Sequence, residues 1–230
     1  MTVQDCLLSS IMEENGSVKL QGGKSMKKTA LILTVLLCLA QSAYAMLPLT
    51  ENNIDAAQQY GVERKGATTL ELLAPWTIYD RKLTNKYGLG EKAVVYTPYL
   101  MAALDAQTAA KNGTPADLAR GMSVAKDYQG VLALAVTVSS PAKLEPKNMN
   151  IRMYQGTNVI DPYYTNLNSA KQRSMEVSSD QGLQTVGVWD QQFFVYFDLT
   201  KLDAQRAMVF AVTDQYGGTR EFVINLTKVN

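Results

Sequence analysis

The chain has 230 residues, with 22 Lys and Arg against 21 Asp and Glu, two cysteines and no histidine. Charge this balanced, with Lys and Arg scattered singly, excludes a basic stripe for nucleic acid and an acidic tail. The missing histidine excludes His-based zinc sites, Ser-His-Asp triads and imidazole acid–base chemistry.

The first forty-five residues read as processing sequence. Residues 26–45 carry the three parts of a secretory signal in order: basic Lys27 and Lys28, an apolar run from Ala30 to Ala40, and the small residues Ala43 and Ala45 around Tyr44. Cleavage is expected after Ala45. A membrane-spanning helix needs about 20 apolar residues, and this run is roughly half that length before Gln41 and Ser42. Leu37 before Cys38 does not suit a lipoprotein signal. Residues 1–25 read as an upstream mis-start or as an extended n-region. The mature segment, residues 46–230, is then one domain without cysteine, exported to a periplasm or secreted, with no transmembrane span.

Along that segment, Thr50–Tyr60 predicts a short helix, with Thr50 as cap and Gly61 as stop. "TTLELLAPWTIYDRKL" favours extended structure by its β-branched and aromatic content. "EKAVVY" (Glu91–Tyr96) predicts a strand. A two-helix hairpin over about 97–128 follows: Thr97-Pro98 opens the first helix and Asn112-Gly113 closes it, and Thr114-Pro115 opens the second, with Asp117 in its first turn. "VLALAVTVSS" (Val131–Ser140) alternates large Leu and Val with small Ala and Thr, the pattern of a strand with a core face and a close-packed face.

Further strands are predicted at Asn150–Tyr154, Asn158–Ile160, Gln192–Leu199, Ala207–Thr213 and Arg220–Leu226, with turns at "YQGTN" and at Asp214–Gly218. Between Asp161 and Asp190 the polar sequence, with little period, predicts a long loop, with or without one short strand. The last forty or so residues, from "FFVYFDL" to "EFVINL", resemble the final strands of bacterial immunoglobulin-like domains, and that resemblance brings no functional residues with it. The expected fold is mainly β: an immunoglobulin-like β-sandwich with an inserted or preceding two-helix hairpin, α+β overall.

Three patterns bear on chemistry. Ser123-Val-Ala-Lys126 and Ser140-Pro-Ala-Lys143 both match S-x-x-K, in which a lysine amine can activate a serine oxygen. No K-T-G or S-D-N segment accompanies them, so they read as surface residues. Gly88-Leu-Gly90-Glu-Lys-Ala93 imitates a phosphate-binding glycine loop but precedes a strand where that loop needs a helix. The acidic residues form no calcium-loop array. Neither a catalytic residue nor a cofactor or metal is assigned.

The aromatics Trp76, Tyr163, Tyr164 and Trp189 stand in or beside predicted loops and strand ends, positions from which they could bind a glycan or peptide. The sequence therefore predicts an exported, non-enzymatic envelope or secreted domain acting through contact with an envelope protein or glycan. The alternative is an envelope-polymer hydrolase using carboxylates or a Ser-Lys pair.

Overall fold

The computed structural model describes residues 49–81 and 91–228. The signal segment with Ala43 and Ala45, and Gly88 and Gly90, lie outside the described residues.

The four helices described come from local signals that the chain supplies itself. Helix α1 (Glu51–Glu63) is capped by the Thr50 hydroxyl, which accepts from the Asn53 N–H at 3.3 Å. Gly61 does not stop this helix. A Cβ there would lie 2.0 Å from the Ala103 carbonyl oxygen, so glycine is the residue that lets α1 approach its neighbour. Thr68-Thr-Leu-Glu71 forms a capping box and opens helix α2 (Thr69–Leu73), which runs into a 3-10 turn at Ala74–Trp76. The extended conformation expected of this stretch is confined to strand β1 (Thr77–Tyr79).

Strand β2 (Lys92–Tyr96) leads into helix α3 (Pro98–Lys111), capped by Thr97 and closed by Asn112, with Gly113 at φ +73°. Helix α4 (Leu118–Lys126) starts later than Thr114-Pro115 suggests. Its cap is Asp117, whose carboxylate accepts from the Ala119 and Arg120 N–H groups. The Thr114 hydroxyl turns back instead, donating to the Ala109 carbonyl at 3.0 Å. Helices α1, α3 and α4 pack together through small residues, with Ile54, Ala57, Ala102, Ala103 and Ala125 buried between them.

The rest is β: β3 (Val131–Ser140), β4 (Asn150–Gln155), β5 (Asn158–Ile160), β6 (Tyr164–Ser179), β7 (Gly182–Asp198), β8 (Met208–Thr213) and β9 (Thr219–Ile224). They form two antiparallel sheets, ordered β1-β2-β3-β7-β6 and β5-β4-β8-β9. This arrangement is compatible with a β-sandwich. Alternation does the sorting. Leu132, Leu134, Val136 and Val138 pair in register with Phe197, Val195, Phe193 and Gln191, and they share one core with Ile151, Met153, Phe210, Val212, Phe222 and Ile224 of the second sheet. Phe197 meets Phe210 edge-on at 5.9 Å, joining the two sheets. Burying each phenylalanine is worth about 2–3 kcal/mol. Ala133 and Ala135, on the opposite face of β3, are buried as well.

The long loop expected between Asp161 and Asp190 is instead the longest hairpin of the molecule. Strand β6 has 16 residues and β7 has 17. β3 stops pairing at Ser140↔Trp189, so the pairs from Arg173↔Val188 to Ser179↔Gly182 form a two-stranded arm with no third strand among the described residues. Its residues are largely exposed, and Leu183 near the tip is 73% exposed.

Candidate binding surface along the edge of β6

Strand β6 closes one side of its sheet and, among the described residues, pairs with β7 alone. An edge strand turns part of its main-chain N–H and C=O groups outward, where another chain can pair with them. The first part of this edge carries distinctive side chains.

At its start, Tyr163 and Tyr164 sit side by side and are 60% and 53% exposed. They rest on Tyr196, with ring centroids at 6.3 and 5.7 Å. Tyr196 lies 6.4 Å from Phe194, which in turn meets Tyr96 at 6.0 Å. The register explains the row: Tyr164, Tyr196, Ala133 and Tyr96 pair successively across β6, β7, β3 and β2, so all point to one face. Burial raises the pKa of Tyr96, with a further push from Tyr128 and Tyr196. Burial likewise raises Tyr128, helped by Tyr196 and Asp127, and it raises Tyr163, helped by Tyr196 and Asp198. Each of these phenols offers a hydrogen-bonding tip on an apolar row.

Next along the edge, Thr165, Asn166 and Leu167 form one wall of an open groove of about 590 Å³. The other wall is the strap after β3, with Lys143, Glu145, Pro146 and Lys147. The strap is held from beneath. Gln191 of β7 is fully buried; its amide accepts from the Leu144 N–H at 2.6 Å and donates to the Leu144 carbonyl at 2.8 Å. Leu144 itself is buried in the core. A small 3-10 turn, Pro146–Asn148, completes the strap. Beyond Leu167 the β6–β7 register slips at a bulge around Asn168, whose amide donates to the Gln192 side chain at 2.7 Å.

The other aromatics singled out from sequence fall elsewhere. Trp76 is 1% exposed, packed between Tyr60 and Tyr99 at 5.4 and 6.2 Å, and so is a core residue without a surface to offer. Trp189 is half-buried at the root of the arm, seven residues and about 23 Å along β7 from Tyr196. The structure thus brings Tyr163 and Tyr164 together and separates them from both tryptophans. Sequence reasoning did not find Tyr96, Tyr128, Phe194 or Tyr196, although the even spacing of Phe194 and Tyr196 placed them on one face of a strand.

The serine–lysine pairs are dispersed. Ser123 and Lys126 are exposed on α4. Ser140 is buried and donates its hydroxyl proton to the Ala142 carbonyl at 2.5 Å, while Lys143 is exposed.

A second polar centre lies inside. Arg220 of β9 reaches both Glu91 oxygens from Nε, at 3.1 and 3.2 Å, and donates from Nη1 to Asp214 and from Nη2 to the Ser139 carbonyl at 3.3 Å. Glu91 also accepts from the Ser139 N–H at 2.9 Å. Burial works against the charge on Arg220, but the bond to Asp214 and the charge on Glu91 outweigh it and raise its pKa. Burial alone would raise Asp214; hydrogen bonds from Arg220 and from the Tyr216 and Gly218 N–H groups outweigh it and hold the carboxyl below its usual range. All three guanidinium nitrogens are engaged, with Nη1 also donating to the Gly218 carbonyl at 3.1 Å, so this centre clamps the two sheets together. No group of three or more potential metal ligands occurs among the described residues. No helix among them is long and apolar enough to cross a membrane.

Comparison with family models, with curated proteins and with solved structures found no match to this chain.

Proposed function

We propose that the protein is an exported, non-enzymatic domain of the cell envelope or extracellular space that works by contact with a protein or glycan. The observation that carries this reading is the pair Tyr163 and Tyr164, each more than half exposed on a row of aromatic rings at the start of an edge strand. Large rings that present an apolar face and a hydrogen-bonding hydroxyl bind well in exposed positions and lose little side-chain freedom on contact. Export is supported by the signal-like order of residues 26–45. On this reading the fold is an immunoglobulin-like sandwich, with the α3–α4 pair as a helical hairpin ahead of β3.

The test is a Tyr163→Ala/Tyr164→Ala double variant used as bait in envelope extract beside the unaltered chain. It is expected to lose the captured partner while keeping the same thermal midpoint. An unchanged set of partners overturns the role of the tyrosines. Export is checked by N-terminal sequencing of the secreted form, which is expected to begin at Met46.

A further inference from the structure

We propose that the edge of β6 at Thr165–Leu167 captures an extended, acidic segment of a partner protein by strand addition, with the Lys143–Lys147 strap as the second wall. The inference rests on the contact reading above and names the partner's chemistry.

Three observations converge. First, β6 pairs on one side only, and the strap makes no main-chain hydrogen bond to it among the described residues. A strand added at the usual 4.7–4.9 Å spacing (about one strand width) would enter the groove that the strap walls. Second, that wall is already formed. The fully buried Gln191 amide grips Leu144 through both main-chain groups, so ordering the strap adds little to the cost of binding. Third, the charges select the ligand. Among the described residues, Lys143 on the strap and Lys171 further along β6 are exposed and form no ion pair, while Lys147 pairs with Glu145 alone, at 3.0 Å and in solvent. That surface pair is worth little and exchanges readily for an incoming carboxylate.

The bulge at Asn168 sets the length. It breaks the register after Leu167, so regular pairing is confined to about four residues from Tyr164, on the order of 13 Å of extended chain. Tyr163 and Tyr164 then flank one end of the bound segment. An acidic side chain at alternate positions of such a segment faces the strap lysines.

The test uses the full-length chain and a synthetic capped pentapeptide, Glu-Val-Glu-Val-Glu, followed by titration and by amide exchange at residues 164–167. Saturable binding with slowed exchange at these amides is expected. Loss of binding is expected when alternate backbone nitrogens of the peptide are methylated, because that removes strand pairing and leaves its charge. A Lys143→Glu/Lys147→Glu variant, whose changes lie on the surface, is expected to weaken binding about tenfold or more. Absence of binding overturns the proposal, as does binding that survives backbone methylation or that a Lys-Val-Lys-Val-Lys peptide matches. Protection of the same amides by a neutral oligosaccharide and not by the acidic peptide also overturns it, and assigns the edge to a glycan. Because the peptide is synthetic, its failure leaves the envelope-extract result with the tyrosine variant standing on its own.

Discussion

Two hairpins of this molecule share a construction and differ in surroundings. Strands β8 and β9 alternate buried and half-exposed residues, turn tightly at Asp214–Gly218, and carry Arg220 into the ionic centre between the sheets. Strand β7 alternates in the same way where it lies between β3 and β6, but on the other side of Trp189 it forms with β6 an arm that buries little. The first hairpin belongs to the cooperative core. An isolated two-stranded hairpin is marginal in water, so the arm sits at the low-stability end of the structure.

The largest blow to this contrast is Arg220→Met. It leaves Glu91 and Asp214 buried without their cation and is expected to cost about 3–5 kcal/mol, read as a lower urea midpoint. Next come the two turn glycines, Gly217 at φ +84° and Gly182 at φ +100°. Gly217→Val is expected to lower global stability by about 1–2 kcal/mol. Gly182→Val is expected to speed amide exchange in the arm while global stability changes by less than about 0.5 kcal/mol. Equal global losses for the two would merge the arm with the core.

Acid supplies the third probe. The folded pKa of Asp214 is depressed, so its contribution is fully present above the unfolded carboxyl pKa and fades as pH falls through the lower folded value. Stability of the unaltered chain is expected to fall below about pH 4, and Asp214→Asn to flatten that slope in urea melts at stepped pH. The smallest effect is Leu183→Ser at the arm's exposed tip, expected to stay within about 0.5 kcal/mol in the same melts.

The same contrast explains what could be read in advance. Strands β3, β4, β8 and β9 announce themselves because at least one face of each is buried, and burial writes alternation into sequence, while the short β5 is marked by the turn before it. The arm's Ser, Gln, Glu and Thr residues have no such face, so its long pairing left no period to find. Helix α2 did have a signal, the Thr68–Glu71 capping box, but the β-branched residues around it pointed the other way. The candidate surface was half visible. Tyr163 and Tyr164 stood out beside a proline, whereas the ring row and the strap depend on pairing between strands distant in sequence.

Ser139 joins the two regions. Its main chain serves Glu91 and Arg220, and its hydroxyl donates at 2.6 Å to Asp190, which in turn accepts from Arg173 at the foot of the arm at 2.5 Å. The arm is thus a lever with a fixed fulcrum. Because β7 runs unbroken from its tip into the middle of the sheet, a pull along the arm loads the β3–β7 bonds together, in shear, and not one after another. Whatever binds the arm would be tethered to the centre of the five-stranded sheet.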